Sequence, residues 1–419
     1  MSDAGRDDED MGTATAGSAA SSAGAGAGSP MPTSRFDYEL PPELIAQQPA
    51  EPRDSSRLLV LDRAVTGLTH ARFRDIGNWL RPGDLLVVNR SRVVPARLAA
   101  RRRPGGGAAE ILLLRRLEPG RWEALVRPGR KLIPGAWVDL GSGISAEIVD
   151  RTAAGGRVVQ FHRDVLGHRD GSGASERATS PAGTANGPCD PGTLAAAATL
   201  ADASALDAAV LALGSLPLPP YIQGYAGDPE RYQTVYGDVP GSAAAPTAGL
   251  HFTPGLLSSL QAAGVGLATV TLHVGLDTFR PVKVDDLRQH AIHREVCSVS
   301  PETARAIMET RAAGGRVVAV GTTTVRTLET AAQAGGGGGV GVGGGLSSDG
   351  WAGESALFIV PGYQFRCVDA MVTNFHLPRS TLLALVSAFA GHERIRAAYA
   401  EAIREQYRFF SFGDAMLLL

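Results

Sequence analysis

The stretch Arg316-Val317-Val318-Ala319-Val320-Gly321-Thr322-Thr323-Thr324-Val325-Arg326 decides how this chain is read. An uninterrupted apolar run of this kind is a strand buried on both faces. It stops at a glycine, and hydroxyl residues follow, as they do where a helix opens. The expectation is a strand over 316–320 and a helix over 323–334. Downstream, 358–360 and 367–372 read as strands, 381–390 and 394–407 as helices, and 415–418 as a closing strand. Upstream lie a helix over 301–313, a strand over 265–274, and a helix that Thr253 caps, Pro254 begins and Gly264 ends. Strands alternating with helices indicate an α/β domain.

Farther upstream, Asp84-Leu85-Leu86-Val87-Val88-Asn89 is another buried strand, after the turn pair Pro82-Gly83, and 58–61 is a strand near a short helix at Pro42-Glu43-Leu44. Between them and the α/β alternation the pattern changes. Short apolar runs at 108–114, 122–126, 137–140, 144–149 and 158–161 recur between turn signals, as in a small all-β barrel or sandwich. The fold class is therefore α/β: a mixed-sheet α/β domain with an inserted small all-β barrel domain.

The barrel segment is basic. Residues 89–162 hold 14 basic side chains against 6 acidic ones, an excess of +8 within a chain of net charge −2. Such a surface can hold a phosphate backbone. Arg97, Arg101, Arg102, Arg103, Arg127, Arg130 and Lys131 are the candidate contacts, with Arg101-Arg102-Arg103-Pro104-Gly105 read as a flexible hairpin tip. The wider arginine excess, 38 of 40 basic residues beside Lys131 and Lys283, is compositional.

Low-complexity segments account for much of the 52 glycines in 419 residues. Residues 1–33 read as a disordered tail without the basic start and apolar stretch of a secretory signal. Residues 166–204 and the glycine-rich loop 335–350 read as insertions. What remains is an α/β domain over 34–88 and 205–419, with the barrel at 89–165. Cys189, Cys297 and Cys367 form no pair motif, which excludes a disulfide framework and suits a reducing compartment. No apolar run reaches the length of a membrane span, and a cytoplasmic protein is expected.

Several constellations carry chemistry. The helix start at Gly321–Thr324 offers free N–H groups and a positive dipole end to a carboxylate or phosphate, although it lacks a P-loop lysine. In Pro246-Thr247-Ala248-Gly249-Leu250-His251 a turn of small residues delivers a histidine before a capped helix. His273 stands near the end of a buried strand, where ligands of α/β folds collect. His290, His293 and Glu295 mix ligand types but lack a zinc-binding helical spacing, and no metal is expected. Asp369 lies in the strand leading to the polar loop Thr373-Asn374-Phe375-His376 and a helix capped by Ser380. Tyr407-Arg408-Phe409-Phe410-Ser411-Phe412-Gly413-Asp414 can stack a base or fill the core.

In order along the chain, the blocks Phe36-Asp37-Tyr38-Glu39-Leu40-Pro41-Pro42, Gly83–Asn89, Val94-Pro95-Ala96-Arg97, Tyr232–Tyr236, Ala244–Phe252, His273-Val274-Gly275, His290–Glu295, Ala319–Thr323, Pro361-Gly362-Tyr363, Thr373–Pro378 and Phe412-Gly413-Asp414 resemble the S-adenosylmethionine:tRNA ribosyltransferase-isomerase family of queuosine biosynthesis. The resemblance spans nearly the whole chain outside the tail and the two insertions. It implies an enzyme that transfers and isomerises the ribosyl group of S-adenosylmethionine onto 7-aminomethyl-7-deazaguanine at the tRNA wobble position. Epoxyqueuosine-tRNA, adenine and methionine are the products. S-adenosylmethionine is then a consumed substrate, and no cofactor is implied.

Roles can be assigned on that resemblance. His273 or His251 is the expected base beside the sulfonium. Asp414, Asn374 or His376 would assist adenine departure. Asp369 or Glu295 would hold the attacking amine or the sulfonium. Gly321, Thr322, Thr323, Thr324 and Arg326, with Thr247, Gly249, His293, Asn374 and Tyr363, would bind substrate. The basic barrel would hold the anticodon stem-loop, whose target base must leave the stack. A monomer is expected. The family usually has glycine where this chain has Asp277. The competing readings are an S-adenosylmethionine-using enzyme with a different acceptor, a methyltransferase, and a non-catalytic RNA-binding protein.

Overall fold

The structure is a computed structural model and describes residues 30–152, 155–164, 204–275, 282–292, 294–335 and 345–419. The tail up to residue 29, the insertion up to residue 203, most of the glycine loop, Asp277 and His293 lie outside the described residues.

The chain opens with β1 (Arg57–Leu61), β2 (Leu68–Arg72) and β3 (Leu85–Asn89). A short β4 (Ser91–Val93) leads into β5 (Arg97–Arg103), β6 (Ala108–Glu118), β7 (Arg121–Arg127), β8 (Trp137–Gly141), β9 (Ile144–Arg151) and β10 (Arg157–Arg163). Helix α1 (204–212) follows, then β11 (Val239–Ser242), α2 (Pro254–Ala262), β12 (Gly266–Leu272) and β13 (Glu295–Val299). The remainder is α3 (Pro301–Ala312), β14 (Val317–Val320), α4 (Thr322–Gly335), β15 (Trp351–Ser355), β16 (Ala370–Asn374), α5 (Thr381–Ala390), α6 (His392–Arg404) and β17 (Ala415–Leu418).

Nine strands make one mixed sheet in the order β15-β13-β12-β3-β14-β16-β17-β1-β2. β3 lies between two parallel neighbours: Val87 is in register with Ala268 of β12 and Ala319 of β14. All five β3 residues are buried, because both sheet faces are covered. The period of two divides them cleanly. Leu85 and Val87 join the core beneath α3, α4, α5 and α6, whereas Leu86 and Val88 pack with Phe73, Phe252 and Leu260 on the other face.

Six strands close a barrel in the order β10-β7-β6-β5-β8-β9. Arg101–Arg103, expected in a hairpin tip, belong to β5. The turn falls on Pro104–Gly107, where Gly105 and Gly106 have φ of +101° and +65° that favour glycine. α1 packs on the barrel rather than on the α/β layers. Val210 is fully buried in the barrel core, and Asp207 accepts hydrogen bonds from Trp122 Nε1 (2.8 Å) and the Gly120 N–H (3.1 Å). The barrel module therefore resumes after the insertion, beyond the 165 boundary read from the sequence. β4 and β11 pair in parallel where the chain enters and leaves it.

The strand expected at 358–360 is absent. The sheet edge is β15, paired antiparallel with β13, and both were missed because they mix charged, small and apolar residues. Residues 358–360 run into Pro361-Gly362, which ends any pairing before a ladder can form. No helix among the described residues is long and apolar enough to cross a membrane.

Candidate active site

The carboxyl ends of β3, β14 and β16 meet at one edge of the sheet, and a cavity opens there. Its walls include Thr247 and Ala248, Gly321 to Thr323, Thr373 to Leu377, Val274, Tyr221, Phe410 and Ser411. Parallel strand ends leave such crevices because their connections diverge to opposite faces.

Gly321 makes the turn from β14 into α4. Its φ of +88° is a conformation in which an L side chain is strained, and its N–H donates to the Val372 carbonyl at 2.8 Å. The first-turn N–H groups of α4 have no carbonyl within the helix to bond, and Thr322 and Thr323 stand at the cavity wall. An anion seated there meets those donors and the positive end of a 14-residue helix. Thr324 is turned inward: its hydroxyl donates to the Val320 carbonyl at 2.7 Å. Gly249 lies beneath the wall, where an added Cβ would stand 2.0 Å from the Tyr236 hydroxyl.

A buried hydrogen-bond chain forms the next wall. The Thr247 hydroxyl donates to Asn374 Oδ1 at 3.0 Å, and Asn374 Nδ2 donates to the Phe410 carbonyl at 3.3 Å. These partners orient the amide, so the same nitrogen faces His251 Nε2 at 3.1 Å as a donor. His251 Nε2 must then accept, which puts the ring proton on Nδ1, 2.8 Å from Ser56 Oγ. Phe73 stacks on the imidazole, with centroids 4.9 Å apart and planes at 27°. Burial, and secondarily the positive charges of Arg408 and Arg53, push His251 down to about 3. Phe410 holds φ of +70°, rare for a bulky residue, and its carbonyl serves Asn374 at that strained point.

His376 is buried in the same wall, and burial pushes it down to about 3 as well. Its Nε2 lies 2.7 Å from Thr373 Oγ1, and no hydrogen bond among the described residues reaches Nδ1. Both imidazoles are neutral above about pH 3, whereas an exposed histidine in the unfolded chain titrates near 6.5. Between those values the unfolded state binds more protons, so stability is present above pH 6.5 and falls as the pH drops below it. Each histidine removes at most about 1.4 kcal/mol per pH unit, and the pair about 2 kcal/mol between pH 6 and 5. Urea unfolding followed against pH checks this. The slope should flatten by about 1 kcal/mol per pH unit in either His251→Gln or His376→Gln; equal slopes in wild type and both variants would refute the assignment.

Other candidates stand away from the cavity. His273 follows β12, but its ring packs against Gly241, where an added Cβ would lie 2.9 Å from Cε1; only the next residue, Val274, reaches the cavity wall. Burial lowers the pKa of His273 too. Glu295 is buried in an ion pair with Arg326 and accepts the Gly275 N–H at 3.1 Å. Asp369 lies at the opposite end of β16, where it accepts the Val317 N–H at 2.9 Å. Asp414 is occupied by two backbone donors, the Arg57 and Arg408 N–H groups, each at 2.8 Å. The Tyr363 hydroxyl donates to Glu329 at 3.0 Å beneath α4. Asp369, Asp414 and Tyr363 thus serve the scaffold, and none of them lines the cavity.

The sequence singles out neither Tyr221 nor Ser56 for a site role, and Ser411 only within the aromatic stretch 407–414. Tyr221 and Ser411 share a hydrogen bond of 2.8 Å at the cavity wall. In the aromatic stretch 407–412, Phe409, Phe410 and Phe412 all belong to core clusters, and Phe410 alone of the three also lines the cavity.

The family model described as queuosine biosynthesis protein matches residues 33–418. A protein of Heliobacterium modesticaldum named S-adenosylmethionine:tRNA ribosyltransferase-isomerase is 50% identical over 392 residues, covering 93% of this chain and 100% of the relative. A Thermotoga maritima protein of the same name is 47% identical over 389 residues, with the same coverages. A crystal structure described as an S-adenosylmethionine tRNA ribosyltransferase from Thermotoga maritima is 40% identical, covers 92% of this chain and 100% of its own, and has a TM-score of 0.48. Extent and identity together make this chain a member of the queuosine biosynthesis protein family.

Proposed function

We propose that the protein is an S-adenosylmethionine:tRNA ribosyltransferase-isomerase. It moves the ribosyl group of S-adenosylmethionine to the aminomethyl-deazaguanine of the tRNA wobble position and releases adenine and methionine. The observation that carries this reading is the cavity itself: a helix start able to accept an anion shares it with aromatic rings and the neutral imidazole of His376, in a chain half identical to relatives of that name.

The methionyl carboxylate fits the Gly321–Thr323 turn. No carboxylate lines the cavity among the described residues, so Asp369 and Glu295 do not meet the sulfonium there. The rings of Phe410 and Tyr221 at the wall can offer it cation–π attraction instead. His376, with Nδ1 unengaged, is the better placed proton acceptor beside the sulfonium. An anion bound nearby raises its basicity. His251 reaches the cavity only through Asn374 and is a positioning residue.

The tRNA reading rests on which barrel charges are free. Arg103 is committed to Asp139 and Asp164, and Arg115 and Arg116 are also ion-paired. Arg97, Arg101, Arg102, Arg127, Arg130 and Lys131 have no carboxylate partner among the described residues. Buried Arg157 donates to the carbonyls of Gly129 (2.8 Å) and Leu132 (2.7 Å), which fixes the loop that follows Arg127 and carries Arg130 and Lys131. Arg97 and Arg127 line a groove between the barrel and residues 215–225. Arg127→Ala with Arg130→Ala should weaken tRNA binding and lower the slope of log affinity against log salt by about 1–2, leaving S-adenosylmethionine binding unchanged. An unchanged slope would remove that surface from the reading.

The deciding experiment incubates the protein with S-adenosylmethionine and tRNA carrying the deazaguanine precursor, read by mass spectrometry. Adenine, methionine and epoxyqueuosine-tRNA are expected. S-adenosylhomocysteine would instead mark a methyltransferase. Bound but unmodified tRNA at saturating S-adenosylmethionine would defeat the reading.

A further inference from the structure

At the edge of the candidate active site a side chain takes over where a backbone ladder stops. Parallel pairing of β3 with β12 ends where Asn89 meets Val270, and the Arg90 N–H donates to the Val270 carbonyl at 2.9 Å. The chain then turns into β4. The fully buried Asn89 side chain instead bonds both polar groups of Leu272. Its Oδ1 accepts the Leu272 N–H at 3.1 Å, and its Nδ2 donates to the Leu272 carbonyl at 3.0 Å. Oδ1 also accepts the Ser91 N–H at 3.1 Å. The oxygen therefore faces two donors, which fixes the orientation of the amide. Two residues beyond Leu272, Val274 lines the cavity.

The second N–H of the Asn89 amide reaches Thr323 Oγ1, 3.4 Å away in the first turn of α4. All four hydrogen-bonding positions of the amide are then occupied. One amide thus joins the end of β12 to the start of α4, and both carry cavity-lining residues. The bond also assigns a role to the Thr323 hydroxyl. It accepts from Asn89, and no hydrogen bond from it to an acceptor occurs among the described residues. Thr324 and Thr327 differ, because their hydroxyls donate to the Val320 and Thr323 carbonyls at 2.7 Å and 2.9 Å.

We propose that Asn89 is a positioning residue that holds Thr323 as a hydroxyl donor to the carboxylate of S-adenosylmethionine, and thereby sets a preference for substrates that carry this carboxylate. The proposal rests on the reading that the methionyl carboxylate sits at the Gly321–Thr323 turn. A hydroxyl that accepts from an amide N–H directs its own proton elsewhere. A carboxylate at the first-turn N–H groups is an acceptor in the same wall, and a hydrogen bond to a charged acceptor is stronger than one to a neutral group.

The test measures KM for S-adenosylmethionine at saturating precursor tRNA, and Ki for decarboxylated S-adenosylmethionine, which keeps the sulfonium and the amine but lacks the carboxylate. Thr323→Val keeps the shape and removes the hydroxyl. It should raise KM about tenfold or more, with a smaller change in kcat, and leave Ki unchanged. Asn89→Asp still accepts from Leu272 and Ser91 but offers Thr323 an acceptor, which draws the hydroxyl proton out of the cavity and adds a like charge. KM should rise at least as far, whereas Ki should hold or fall. In the Asn89→Asp background, Thr323→Val should have no further effect on KM. If Asn89→Asp does not fold, Asn89→Ala takes its place, with KM raised about 3–10-fold and Ki unchanged. KM within about twofold of wild type in Thr323→Val overturns the proposal, as does a parallel rise of KM and Ki in any of these variants. So do additive effects of Asn89→Asp and Thr323→Val. A wild-type protein that releases no adenine from the same mixture overturns the ribosyltransferase reading, and the proposal with it.

Discussion

Glu295→Ala is expected to lower the free energy of unfolding by about 3–5 kcal/mol. The side chains of Glu295 and Arg326 are 2% and 5% exposed and form a buried ion pair. Removing the carboxylate strands a guanidinium in the core of α4, where hydration cannot replace the lost partner. It also frees the Gly275 N–H, bonded to Glu295 Oε1 at 3.1 Å, at the start of the loop that leaves β12 beside the cavity. The double replacement Glu295→Met with Arg326→Met removes both charges and should recover more than half of the loss. Urea unfolding of the four proteins in a double-mutant cycle measures the coupling. A drop below about 1 kcal/mol in Glu295→Ala would show that the pair is not buried as described.

Asn374→Leu is expected to reduce turnover by about 100-fold or more. Asn374 is 3% exposed and joins Thr247, His251 and the Phe410 carbonyl in one network. A leucine of similar volume leaves those groups unpaired, at about 1–3 kcal/mol each, and lets Thr247 swing at the cavity wall. Misplacement of about 1 Å is enough for a loss of that size. Asn374→Asp separates positioning from bulk. A carboxylate can only accept from His251 Nε2, so the ring must carry a proton there and its pKa must rise. The pH–rate profile should then move in Asn374→Asp, at a stability cost of about 1–3 kcal/mol because the Phe410 carbonyl loses its donor. Wild-type turnover in Asn374→Leu, or an unmoved profile in Asn374→Asp, would take the network out of the mechanism.

Much of the fold was legible because it is local. The run Val317–Val320, stopped by Gly321 and followed by threonines, reports strand, turn and helix without reference to any other part of the chain. The same holds for Asp84–Asn89 and for the recurrent short runs of the barrel. The edge strands β13 and β15 were not legible, because pairing with each other, rather than an apolar pattern of their own, makes Glu295–Val299 and Trp351–Ser355 strands. α1 follows the insertion in sequence, yet Trp122 and the barrel core claim it through Asp207 and Val210.

The site divides along the same line. Residue type and neighbourhood sufficed to single out Thr247, Gly321–Thr323, Asn374 and His376, which the fold brings to one cavity. The carboxylates could not be sorted in that way. Asp369, Asp414 and Glu295 look alike in sequence as acids beside strand ends, yet each is consumed by backbone N–H groups or a buried arginine. The sequence by itself determined the strand–glycine–helix element, the basic barrel and the family, because these rest on local pattern and ordered motifs. Only the tertiary structure decided which polar groups remain unspent, since a buried donor or acceptor takes whatever partner packing brings within about 3 Å, however distant in the chain.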